Sequence, residues 1–206
     1  MLEILKISEE AFSCNEYFGQ ENGEEFFYFE DRGSRVVLSA PHATRTFVCK
    51  KVKAPDLFTG ALATVIGKRF GYSSLVRTGF CPQKALISDF IKENNLGSKY
   101  FLDIHGMDNG REFDLALGTG YFSADVYRRE IEKIRELTEK YKIKMVLNHP
   151  DYRGIRGLTG RYQKEFGLPQ VLQLEWRQDF RNFYACPEKV LEQTIPFIAE
   201  LADFLS

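Results

Sequence analysis

Three short stretches carry the side chains best suited to chemistry: Pro41-His42, Asp103-Ile-His105 and Gln173-Leu-Glu175. Each lies at or just past the end of an apolar run, where a strand would finish. Strand side chains repeat every two residues, so Asp103 and His105 share a face, as do Gln173 and Glu175. The chain has only three histidines, and two of them stand at such ends. Imidazoles with carboxylates at one edge of a sheet are donors suited to a divalent metal ion. Asp103 can take the second ring nitrogen of His105 and fix its tautomer, or act as a ligand itself. The structural alternative is ordinary hydrogen bonding at strand ends, with Glu175 paired to Arg177 or Arg181. His149, in Asn148-His-Pro-Asp151, reads as a turn residue before proline. Cys81, in Gly-Phe-Cys-Pro, has no recognisable base beside it.

The elements that would position these residues alternate between strand and helix. Glu25 to Glu30 and Ser34 to Ser39 read as strands around the turn residues Asp31-Arg-Gly-Ser34, which predicts a hairpin. Asp56 to Phe70 has helical spacing with Gly71 as a stop signal. A strand over Ser73 to Arg77 and a helix over Gln83 to Asn94 follow. Tyr100 to His105, Phe113 to Gly118, Lys144 to Asn148 and Pro169 to Trp176 read as further strands. Ala124 to Tyr141 and Pro187 to Leu205 read as amphipathic helices, and Asp151 to Tyr162 as a Gly/Arg-rich loop. This alternation predicts an α/β sandwich with a mixed, largely parallel sheet. In such sheets ligands collect at the carboxyl ends of strands.

Bulk properties narrow the function classes. The 206 residues suffice for one sizeable core, and no linker or repeat divides them, so a single domain over 1–206 is expected. With 28 basic and 29 acidic side chains the net charge is −1, which gives no reason to expect a nucleic-acid or membrane partner. Apolar runs such as Val36 to Leu38 are far too short to span a bilayer. Acidic residues follow the initial methionine at once, unlike a signal peptide. The four cysteines (Cys14, Cys49, Cys81 and Cys186) form no C-x-x-C pair, so reduced thiols and a cytoplasmic location are the expectation.

Pro41-His42, Phe101-Leu-Asp-Ile-His-Gly-Met107 and Leu172-Gln-Leu-Glu175 together resemble the motifs of the N-formylglutamate amidohydrolase family, in order, from about Val36 to Arg181. That family is related to the zinc carboxypeptidases. The resemblance implies their three-layer α/β/α sandwich, the phosphorylase/hydrolase-like fold. It also implies one zinc ion held by two histidines and a carboxylate, with a glutamate acting on water. His42 and His105 match the histidines, and Glu175 the glutamate.

The chain departs from the carboxypeptidase pattern at one point. The ligand glutamate expected three residues after the first histidine is replaced by Arg45, and a guanidinium cannot coordinate zinc. Either a carboxylate from elsewhere completes the site or the site is degenerate. Asp56, before a Thr-Gly helix start as in some relatives, is the leading candidate, and Asp103 the fallback. Asp56 is equally suited to be a helix N-cap. Three protein ligands would leave one zinc position open for water. Glu175 would then move a proton from water to the leaving amine of an N-acyl amino acid or short peptide. Substrates of that family carry a free carboxylate, which calls for arginine. Arg111, Arg156 and Arg161 are the candidates. The glycines at 154, 157 and 160 are followed by no lysine and do not make a phosphate loop. A binding domain with a decayed site and a peptide hydrolase on the same scaffold are the competing expectations.

Overall fold

The computed structural model describes residues 1–19, 26–48, 51–80 and 87–206. Nine strands lie among them: β1 (Phe27–Glu30), β2 (Val36–Ala40), β3 (Thr46–Val48), β4 (Lys51–Lys53), β5 (Ser73–Arg77), β6 (Tyr100–Met107), β7 (Leu115–Gly118), β8 (Met145–Leu147) and β9 (Val171–Arg177). Seven of them form one sheet in the order β1-β5-β2-β6-β9-β7-β8, and β3 pairs with β4 in a separate ribbon. β5, β2, β6 and β9 run parallel, while β1 and β7 are antiparallel to their neighbours β5 and β9.

Helices cover both faces, which makes the expected α/β/α sandwich. The larger face buries Val36, Leu38, Leu102, Ile104, Leu172, Leu174 and Trp176. It packs on α1 (Leu2–Tyr17), α2 (Thr59–Phe70), α4 (Arg128–Lys140) and α7 (Ile195–Leu205). The smaller face buries Val37, Leu75, Phe101 and Val171 against α3 (Ile87–Glu93) and α5 (Leu158–Phe166). Even-numbered residues of β2, β6 and β9 thus face one layer and odd-numbered residues the other, as the two-residue period requires.

Several expectations need correction. β1 and β2 make no hairpin, because β5 lies between them, antiparallel to β1 and parallel to β2. Asp31, in the supposed turn, accepts hydrogen bonds from Ser73 at 2.9 Å and Lys99 at 3.1 Å, and so ties the loop to neighbouring elements. The end of the supposed Gly/Arg-rich loop, from Leu158 on, is helix α5. Leu158, Tyr162 and Phe166 recur at helical spacing and pack into the smaller core. The helix expected from Asp56 begins at Thr59. It ends as expected, on Gly71 in the left-handed conformation at φ +85°.

The C-terminal helix is interrupted. α6 (Pro187–Lys189) passes through a π turn at Val190–Thr194 before α7. Pro196 has no N–H to donate, which accounts for the wider turn there. The structure adds α1 and the β3–β4 ribbon, which the sequence pattern does not predict. Residues 25, 49, 81 and 83–86, which bear on the first strand, two cysteines and the start of the third helix, lie outside the described residues. No helix among the described residues is long and apolar enough to cross a membrane.

Candidate active site

The smaller face of the sheet changes from apolar to polar along the strands. Val37, Phe101 and Val171 form one row. Two residues on, Ser39, Asp103 and Gln173 stand side by side in register. Two residues further, His105 is paired with Glu175. Three parallel strands therefore deliver a hydroxyl, two carboxyls, an amide and an imidazole to one carboxyl edge. All five side chains are buried.

Hydrogen bonds join them. Ser39 Oγ donates to Asp103 Oδ1 at 3.0 Å, and Asp103 Oδ2 lies 2.9 Å from His105 Nε2. Gln173 Nε2 donates to Glu175 Oε1 at 2.9 Å and to the Tyr152 carbonyl at 3.1 Å. Glu175 is therefore oriented by an amide. Arg177 pairs with Asp114 and Asp179, and Arg181 binds backbone carbonyls, so neither is the ion-pair partner of Glu175 entertained from sequence.

Asp56 arrives from the turn before α2. Its backbone N–H donates to the His42 carbonyl at 2.8 Å, which fastens the turn beside the end of β2. Asp56 Oδ2 then lies 3.1 Å from His105 Nδ1, and Lys53 Nζ lies 3.2 Å from Oδ1. The carboxylate does not cap the helix. The Asp56 carbonyl accepts from Thr59 Oγ1 at 2.7 Å, and α2 has no side-chain cap bond. Phe58 holds this turn at φ +73°, a left-handed conformation that costs a bulky residue about 1–3 kcal/mol. The His42 ring sits 5.1 Å from that of His105, centre to centre, with Nδ1 3.3 Å from Thr46 Oγ1.

Burial sets the protonation states. It pushes Glu175 up to about 7, an effect opposed by the charge of His105. Burial works against a charged His105, but Asp103 and Asp56 override it and raise the imidazole well above its usual range. Burial also works against ionisation of Asp56, yet the His105 hydrogen bond and the Lys53 charge hold its carboxyl well below the usual range. His42 is lowered well below its ordinary value by burial, then by Lys53.

Of the residues expected to act, His42, Asp56, Asp103, His105 and Glu175 are brought together at one edge. Arg111 lies near that edge. Its guanidinium stacks 5.1 Å from the Tyr152 ring centre and 3.5 Å from Asp151. Arg156 is exposed and Arg161 half-buried on α5, and the structure joins neither to the cluster. Arg45 turns away, donating from Nε to the Glu16 carbonyl at 2.8 Å and lying over Phe18. That tether gives an arginine at this position a structural use. His149 packs between Phe113 and Tyr152, and its Nδ1 accepts from the Asp151 N–H at 3.3 Å, as suits a turn residue. Sequence reading missed Ser39, Lys53 and Thr159, whose Oγ1 lies 3.5 Å from Asp103 Oδ2, and offered Arg181 only as an ion-pair partner of Glu175. Ser39 carried a signal, since it follows the same alternation as Asp103 and Gln173.

The donor set of His42, Asp56 and His105 is chemically right for a divalent metal ion. Its arrangement is not that of a ready-made cage. Asp56 and His105 bind each other directly, and among the described residues no three His, Cys, Asp or Glu side chains are arranged to hold a metal. Ligation would exchange the Asp56–His105 hydrogen bond for two coordinate bonds.

No protein-family model and no curated protein sequence matches the chain. Solved structures of the same fold do. N-formylglutamate amidohydrolase from Ralstonia eutropha JMP134 superposes with a TM-score of 0.58 at 13% identity, over 87% of this chain and 98% of that one. A bacteriophage poly-gamma-glutamate hydrolase gives 0.56 at 14% identity, over 88% of each chain. The zinc-free apo form of YNDL gives 0.55 at 15% identity, over 92% of this chain and 96% of that one.

Proposed function

We propose that the chain is a metal-dependent hydrolase of linear amides, acting on a small N-acyl amino acid or short peptide with a free carboxylate. The observation that carries this reading is the contact of Asp56 with His105 at 3.1 Å, one strand from a buried glutamate paired in register with that histidine. Two neighbours of the same fold are named as an N-formylglutamate amidohydrolase and a poly-gamma-glutamate hydrolase, and the name of a third refers to zinc.

His42, Asp56 and His105 would hold the ion, with Asp103 fixing the His105 ring through Nε2. A divalent metal there supplies Lewis-acid polarisation of the scissile carbonyl and eases deprotonation of water. Glu175, pushed up to about 7, is matched to accepting a proton from water and giving it to the leaving nitrogen near neutral pH. Gln173 keeps one of its oxygens fixed while it does so. Lys53 adds positive charge beside the site. Arg111 offers the substrate carboxylate a guanidinium already stacked on Tyr152.

The competing reading, a ligand-binding domain with a decayed site, expects Asp56 far from the imidazoles, and the observed contact counts against it. The test is metal analysis of the purified protein with assays of N-formylglutamate, other N-acyl amino acids, γ-glutamyl oligomers and ordinary peptides. Amine release that a chelator abolishes and Zn²⁺ restores is the expected result, and preference within the panel separates acyl amino acids from peptides. Protein that takes up no divalent metal and cleaves none of these substrates overturns the proposal.

A further inference from the structure

Arg181 is 6% exposed, and its hydrogen bonds run to backbone carbonyls rather than to carboxylates. Nε donates to the Trp176 carbonyl at 3.2 Å, Nη2 to that of Met107 at 3.0 Å, and Nη1 to that of Leu57. These carbonyls belong to the three segments that carry the site. Leu57 follows Asp56, Met107 is two residues past His105, and Trp176 follows Glu175. A guanidinium is planar, with five donors in a fixed fork, so three acceptors bound to it are held at set separations.

We propose that Arg181 is a positioning residue that sets the spacing between Asp56, His105 and Glu175 by clasping the backbone just beyond each. The inference rests on the reading of those three residues as the working site. Two further features support it. The guanidinium lies flat against Gly106, where a Cβ would stand 2.4 Å from its Cζ, so the backbone of β6 is shaped to admit it. The Asp56 turn is also gripped from the other side. Glu9 Oε1 accepts from the Phe58 N–H at 3.2 Å, next to the carbonyl that Arg181 holds. The left-handed Phe58 is thereby fixed by a cation on one flank and a carboxyl on the other, and so is the reach of Asp56 toward His105.

The experiment compares Arg181→Met, Arg181→Lys and Gly106→Ala with the wild type. Leu137→Ala, in the apolar core on α4, serves as a control of lowered stability. Two quantities are read on each folded protein: the ring-nitrogen NMR signals of His105 without metal, and Zn²⁺ affinity by competition with a chromophoric chelator. Loss of an outer-shell partner weakens metal binding by about 10–100-fold. Arg181→Met should show that loss together with displaced His105 signals, and Arg181→Lys a smaller one. Gly106→Ala should follow them, because it keeps the cation but pushes it away. Leu137→Ala should lower the melting temperature while leaving both readouts unchanged. Should Arg181→Met not fold, Arg181→Lys and Gly106→Ala carry the same comparison. Wild-type affinity and unshifted His105 signals in the folded Arg181 variants overturn the inference. Displaced signals in a protein whose wild type takes up no zinc retain the clasp and overturn the metal reading instead.

Discussion

The two faces of the central sheet are built from the same strands but follow different rules. The larger face is mostly apolar, from Val36, Tyr100 and Leu172 at one end to Trp176 at the other, with the Arg181 guanidinium against Gly106 near its carboxyl edge. The smaller face starts in the same way, with Val37, Phe101 and Val171, and then turns polar. Desolvation makes the second arrangement expensive, since each buried polar group must find a partner. Ser39, Asp103, His105, Gln173 and Glu175 do so among themselves and with neighbouring backbone. The larger face supplies stability, and the smaller one gives up some stability to hold charged groups away from water.

This contrast is open to breaking. The largest effect is expected on the polar face. Glu175→Gln removes the proposed proton acceptor and should lower kcat by about 10²–10⁴-fold. Calorimetry of the same variant should show a melting temperature unchanged or raised, because a buried carboxyl is lost. Next comes Leu174→Ala, its neighbour in sequence on the opposite face, which should lose about 2–5 kcal/mol of stability in urea titration. Its kcat per folded molecule should stay near wild type. Reversal of these two outcomes would break the division of labour.

Glu9 gives a smaller, pH-dependent effect. Burial raises it from 4.5 to about 7, so between those values the folded state binds more protons than the unfolded one. Its contribution is complete below about 4.5 and is lost as pH rises through 7, by at most about 3 kcal/mol. Glu9→Gln should flatten that slope in urea titrations run from pH 4.5 to 8. Smallest is Ser39→Ala, which removes one neutral donor from Asp103 and should cost about 1 kcal/mol in the same titrations. A loss of several kcal/mol would mean that the polar row also carries the fold.

What was legible in the sequence follows from the period of a strand. Asp103-x-His105 and Gln173-x-Glu175 advertise a shared face, and the parallel register then brings them together. Ser39 obeys the same alternation one strand away. Asp56 was harder, because an acidic residue before a helix reads equally well as a cap. The contact of its Oδ2 with His105 Nδ1 shows that it is aimed elsewhere. Arg181 had no sequence signal, since its partners are carbonyls, which every residue possesses. The false hairpin has a related cause. Turn residues mark where a chain bends but do not say which strand it meets next.

The polar row also bears on the order of folding. Ser39 and Asp103 are 64 residues apart in the chain, yet each needs the other when buried. Parallel pairing of this kind is non-local and closes late. A partly folded chain that docks β6 without β2 would bury the Asp103 carboxylate without its Ser39 partner. Such an intermediate is penalised, and collapse of the smaller layer is thereby coupled to completion of the sheet. The residues proposed for chemistry would then serve as a checkpoint on assembly, and refolding kinetics of Ser39→Ala would report on it.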